Sequence, residues 1–200
     1  MKKQKLSLPI LLGLLLIMAS LCLMLYFQIR AQLGSRNAQQ TFETLSQMLP
    51  DRTPGVPGGY VEAAMPVLEI HGSDYAALLE IPALGVKLPV ADHWNSNRLS
   101  DSPVRFCGSV YDHTMVIGGA DDPRQFGFCD EIDLGVTVTV TDMTGAEFTY
   151  TVSRVDRSSS AEASWLTDAQ HDLTLFCRDQ YSMEYLAVRC RFAFTEQSTE

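Results

Sequence analysis

Tyr75-Ala76-Ala77-Leu78-Leu79-Glu80-Ile81-Pro82-Ala83-Leu84-Gly85-Val86-Lys87-Leu88-Pro89-Val90 sets two apolar runs on either side of a Pro-Ala-Leu-Gly turn. Proline has no backbone N–H and glycine has no Cβ, so the turn breaks any helix and its flanks read as two strands, 75–81 and 86–90. The signature recurs further on. Residues 136–140 and 148–152 each alternate apolar with polar side chains, and Asp142-Met143-Thr144-Gly145 lies between them. They predict an antiparallel hairpin with one apolar and one threonine-rich face. Residues 173–177 and 185–194 supply two more strands. Seven or eight short strands punctuated by glycine and proline predict a mainly β fold with short helices, closed or nearly closed into a barrel.

What precedes the barrel has a different composition. Residues 6–27 carry no charge over 22 positions, and Lys2, Lys3 and Lys5 stand before them. At about 1.5 Å per residue a helix there spans about 33 Å, enough for a hydrocarbon core of roughly 30 Å, so the run predicts an uncleaved transmembrane signal anchor. A cleaved signal peptide has a shorter apolar region and a small-residue cleavage site, and no convincing site follows this run. The basic cluster puts 1–5 in the cytoplasm and everything after the span outside, a single-pass cell-membrane protein with Tyr26 and Phe27 at the interface. Residues 28–50 show a helical pattern broken near Gly34 and closed by Pro50, and 51–66 hold the glycines and prolines of a linker. The domain is expected over 67–195, with 196–200 as a tail.

From Gln28 onward there are 12 basic and 24 acidic side chains. That balance argues against nucleic acid as a partner, because phosphates need a basic footprint. Asp121, Asp122, Asp130, Glu131 and Asp133 lack a 12-residue calcium-loop pattern and read as a solvated acidic face, so no metal and no cofactor is expected. Cys107, Cys129, Cys177 and Cys190 lie outside the span; four cysteines allow three complete pairings, which spacing does not rank.

The 75–90 stretch resembles the opening strands of sortases, the cell-surface cysteine transpeptidases, which read Tyr, then Leu-x-Ile-Pro, then a short run ending in Leu-Pro-Val. Other segments follow in family order. Phe106-Cys107-Gly108-Ser109-Val110-Tyr111 is similar to the stretch before the histidine strand in class B-like members. Met115-Val116-Ile117-Gly118-Gly119-Ala120 resembles the strand ending in Gly-His, and Gln125-Phe126-Gly127-Phe128 the Met-Phe-Gly turn after it. Leu173-Thr174-Leu175-Phe176-Cys177-Arg178 resembles the nucleophile strand, Leu-Thr-Leu, one free position, Thr, Cys. The resemblance covers about residues 75–192. It implies an eight-stranded sortase barrel on the outer face of a Gram-positive membrane, acting on sorting-signal peptides of surface proteins.

The resemblance also implies a chemistry: a thiolate attacks the peptide bond, a histidine serves as acid and base, and an arginine near the start of the last strand steadies the oxyanion. Each role needs its own side chain, since a free thiol is only a few per cent ionised at neutral pH and an amine leaves poorly without a proton donor. Here Ala120 stands at the histidine position, Arg178 at the cysteine position and Glu184 at the arginine position. Strand side chains alternate, so Cys177 shares a face with Leu173 and Leu175 while Arg178 takes the other. A bulge at the strand end would bring Cys177 back to the site. His93, in the loop after Leu-Pro-Val, and Asp121 are the substitute bases within conceivable reach; His93, Trp165 and Leu166 are candidates to border a substrate groove. Reversed charges at 178 and 184 predict an ion pair filling the site. The expectation is a sortase-like protein without catalysis that binds sorting peptides or surface proteins; the alternative is an active, divergent cysteine transpeptidase using Cys177.

Overall fold

The computed structural model describes residues 8–55, 64–95, 98–167 and 170–193, the side chains of 8–11 and 27–36 excepted. The Lys2, Lys3 and Lys5 cluster, residues 56–63 of the expected linker and the 196–200 tail lie outside them. The elements in order are α1 (Leu8–Met48), β1 (Thr53–Pro54), β2 (Leu68–Ile70), β3 (Ser73–Ile81), β4 (Val86–Ala91), β5 (Val104–Cys107), β6 (Met115–Gly118), β7 (Thr137–Asp142), β8 (Ala146–Ser158), α2 (Ala163–Leu166), β9 (Leu173–Arg178) and β10 (Tyr185–Phe192).

Eight strands close a ring, β3-β4-β5-β6-β9-β10-β8-β7 and back to β3, with β2 added beside β3 and β1 beside β8. The β4–β5 and β6–β9 pairs are parallel and the other ladders of the ring antiparallel. The quoted stretch behaves as its residues dictate. Pro82–Leu84 forms a 3-10 turn, and Gly85 takes φ 64°, a left-handed backbone that a side chain would strain. The expected hairpin is β7–β8, and its turn is held by a buried carboxylate. Asp142 accepts hydrogen bonds from the Thr144 N–H at 2.8 Å, the Thr144 hydroxyl at 2.7 Å, the Ala146 N–H at 2.9 Å and the Tyr111 hydroxyl at 2.5 Å.

These ladders sort the loops onto two ends of the barrel. The 82–85 turn, the start of β7 and the C-terminal ends of β6 and β9 share one end. The 142–145 turn, the start of β3 and the start of β9 share the other. The interior is packed by Leu79, Ile81, Val90, Ile117, Val138, Phe148, Leu175 and Val188 among others, as alternation requires.

Three expectations change. The helix does not break near Gly34: α1 runs without interruption to Met48, since a glycine inside a helix costs only about 1 kcal/mol and the packed C-terminal stretch outweighs it. The start of the linker is a strand, for Thr53 and Pro54 pair with Ala146 and Glu147 of β8. The last strand stops at Phe192. The threonine-rich face of β7 is also covered. Thr141 pairs with Leu78, and Leu78 packs with Phe42 and Leu45 of α1, so the helix lies over this wall. Leu45 is fully buried there, and Leu45→Ala is expected to lower stability by about 2–3 kcal/mol in denaturant unfolding. An unchanged midpoint would mean that α1 is not docked.

No helix among the described residues is long and apolar enough to cross a membrane. The described side chains from Leu14 to Tyr26 are all exposed, an apolar surface.

Candidate functional site

Strands β6 and β9 run side by side and end together, Gly118 level with Phe176, so Ala120 and Arg178 both leave at the 82–85 end. Ala120 is half-buried and lines a cleft of about 600 Å³ there, with Gln180 from the β9–β10 loop, Lys87, Asp101, Arg124 and Ala38 of α1 around it. The turn after Ala120 is tied back on itself. The Ala120 N–H donates to Gln125 Oε1 at 3.2 Å, the Phe126 N–H donates to the Ala120 carbonyl at 3.0 Å, and Gln125 Nε2 donates to the Leu99 carbonyl at 3.0 Å. The ring of Phe126 is thereby sunk into the barrel end.

Parity decides the two neighbouring side chains of β9. Cys177 points into the barrel with Leu173 and Leu175, 1% exposed, and its Sγ lies 3.7 Å from the Phe126 carbonyl. Arg178 points outward, where its Nε–H donates to the Met183 carbonyl at 3.4 Å and its guanidinium sits 5.7 Å from the Tyr185 ring centroid. No bulge intervenes between β9 and β10.

The register corrects one expectation. Tyr185, not Glu184, lies directly across from Arg178. The ion pair expected between Arg178 and Glu184 is accordingly absent among the described residues. Glu184 instead turns the chain: its carbonyl accepts the Asp179 N–H at 2.8 Å.

Of the remaining candidates, Asp121 lines the cleft, while His93, Trp165 and Leu166 do not. His93 is 79% exposed and pairs through Nδ1 with Asp92 at 2.5 Å, while Asp92 also takes the Arg105 Nε–H at 2.8 Å. Asp121 is a latch, its Oδ2 accepting the Gln180 N–H at 3.0 Å. His113 is at the opposite end, 3.5 Å from Asp172 at the foot of β9. Leu166 is buried and Trp165 half-buried, both over the outer face of β9 and β10 beside Phe176 and Ala187 rather than along an open groove.

Two features of that outer face were not legible. Trp94 lies over Phe106 and Phe176 with ring centroids at 5.0 and 5.7 Å. A Cβ on Gly118 would come within 2.6 Å of Trp94 and 2.8 Å of Phe176, so the missing side chain on β6 is what lets the indole close over the strand. Beside it Arg189 of β10 is sealed under α2. Its guanidinium donates to the Leu166 carbonyl at 2.9 Å, to Thr174 Oγ1 at 3.0 Å, to Asp156 Oδ2 at 3.3 Å and to the Trp165 carbonyl, with the Trp165 ring 4.9 Å away. The signal for Arg189 was an arginine placed inside an otherwise apolar strand; its partners come from three separate segments, β8, α2 and β9, that no local pattern connects.

All five cysteines are free thiols. Burial pushes the Cys129 thiol well above the ordinary range and Cys190 up to about 12; desolvation also raises the half-buried Cys107. Alkylation of the folded protein at pH 7, read by mass spectrometry, is expected to modify Cys177 far more slowly than a free peptide thiol. Rapid labelling at Cys177 would show an accessible, activated sulfur.

No protein-family model matches the sequence, and no curated protein matches it. Solved structures do match the fold. Sortase A from Corynebacterium diphtheriae aligns at 16% identity over 84% of this chain and 86% of that one, with a TM-score of 0.53. A Clostridium perfringens sortase D5 transpeptidase aligns at 13% identity over 82% and 93%, TM-score 0.52. Sortase C-1 from Actinomyces oris aligns at 18% identity over 60% and 73%, TM-score 0.51. The closed eight-stranded barrel is therefore sortase-like in fold.

Proposed function

We propose that this chain is a membrane-anchored, extracytoplasmic sortase-like protein that has lost catalysis and works by binding a polypeptide, a sorting-signal peptide or a surface protein, at the 82–85 end of its barrel. One observation carries the loss of catalysis. The end where β6 and β9 stop presents a methyl group and a guanidinium, while the only sulfur of β9 faces the core against the Phe126 carbonyl. Alanine transfers no proton, and a missing general acid and base alone is worth on the order of 10²- to 10⁴-fold in rate. A cleft of about 600 Å³ next to Ala120 supports retained binding, being of the size that ligand sites commonly have. The anchor is supported by the 22-residue uncharged run and by the exposed apolar side chains of α1.

The test uses a fluorescent sorting-signal peptide with the full chain. Anisotropy is expected to rise and saturate, and chromatography to find no cleaved peptide above buffer. Turnover that Cys177→Ala abolishes would establish the divergent enzyme instead, and no binding at all would remove the peptide as partner.

A further inference from the structure

The helix that leads into the barrel also fixes which end of it looks toward the bilayer. The C-terminal part of α1 lies along the wall, with Leu49 and Met143 in one apolar cluster near the 142–145 end and Phe42 and Leu45 on Ile70 and Leu78. Lys87 extends over the Phe42 ring at 6.0 Å, and Ala38 reaches the cleft beside Ala120 at the 82–85 end. Followed backward, the helix goes from the 142–145 end to the cleft and continues as unbroken helix into the apolar run. The site end is thus the end nearest the apolar segment.

The side chains on that end form a second, independent observation. Among the described residues outside 12–26, the exposed large apolar side chains are Met48, Val67, Leu84, Trp94, Leu134, Tyr181 and Met183. Four of these seven, Leu84, Leu134, Tyr181 and Met183, stand on loops of the 82–85 end, and Tyr181 is 97% exposed. Met183 is held there at φ 61°, a backbone that non-glycine residues rarely adopt. Asp121, Asp122 and Asp179 stand on the same loops, Asp122 paired with Arg124 at 2.8 Å and Asp179 3.9 Å from Arg157.

We propose that the 82–85 end, with its rim of Leu84, Leu134, Tyr181 and Met183, is a membrane-facing surface, held by α1 at a set height above a lipid bilayer. The inference rests on the anchor reading above. From Phe27, where the apolar run ends, to Ala38 is 11 residues. As helix that is about 16 Å. The headgroup layer takes about 5–7 Å of it, which leaves about 10 Å, roughly the thickness of one polypeptide layer. The cleft opens into that gap, so a partner reaches it from the side along the membrane rather than from the outer side of the cell.

The test places the full chain, with Cys22→Ala and Cys107→Ser, in phosphatidylcholine vesicles bearing an acceptor-dye lipid. A donor dye is attached at Tyr181→Cys or, at the other end of the barrel, at Glu69→Cys. Energy transfer to the lipid is expected to be several-fold stronger from position 181. A seven-residue helical insertion between Gln32 and Leu33 lifts the barrel by about 10 Å while nearly preserving its facing, and is expected to reduce the transfer from 181. Equal transfer from both positions, stronger transfer from 69, or no response to the insertion in chains that float with the vesicles overturns the orientation alone. Chains that do not float with the vesicles overturn the anchor, and the orientation with it, whatever the peptide anisotropy shows.

Discussion

Arg189→Ala is expected to cost roughly 3–5 kcal/mol of unfolding free energy, the range seen when one partner of a buried charged network is removed. Arg189 is 1% exposed, and the carbonyls of Trp165 and Leu166 in α2 both end on this guanidinium. Truncation leaves those two acceptors, Thr174 and the Asp156 carboxylate short of a donor and takes the cation from beneath the Trp165 ring. Arg189→Lys keeps the charge but not the fork, and is expected to lose less. Urea unfolding monitored by tryptophan fluorescence measures both. A cost below about 1 kcal/mol for the alanine variant would show that the guanidinium's desolvation cancels its bonds.

The second large effect concerns chemistry. Ala120→His, Arg178→Cys and Tyr185→Arg together place an imidazole, a thiol and a guanidinium at the ends of β6, β9 and β10, with the last two directly across from each other. The combined variant is expected to cleave a sorting-signal peptide at least about 10²-fold above the unaltered chain. The thiol introduced by Arg178→Cys is expected to alkylate ahead of every native cysteine. The same variant built with Glu184→Arg in place of Tyr185→Arg should fall behind it, because position 184 belongs to the turn. A folded combined variant whose new thiol reacts no faster than Cys107 would mean the frame itself has lost the geometry.

Much of this was readable from period-two alternation. The strands 75–81, 86–90 and 136–140, their turns, and the opposite facing of Cys177 and Arg178 all follow from which side chains avoid water, because a one-residue slip would expose Leu173 and Leu175. What failed was whatever depends on loop length or on distant segments meeting. The ion pair of Arg178 with Glu184 was expected from their reversed charges, whereas the pairing of Tyr185 with Arg178 is set by how the six residues between them fold. The indole lid needs Trp94, Phe106, Phe176 and the bare backbone of Gly118, four separate pieces of chain that meet only in the folded barrel. Pro54 and Gly55 read as linker, yet the first pairs with β8 and the second leaves room for the Phe148 ring, where a Cβ would come within 2.6 Å.

Cys129, Cys177 and Cys190 share one core and meet solvent only when the barrel opens. In aerated buffer, heating should therefore release three sulfurs at once, which would couple with one another and trap the opened chain. The apparent melting temperature is then a matter of heating rate, and a reductant in the buffer restores recovery on cooling.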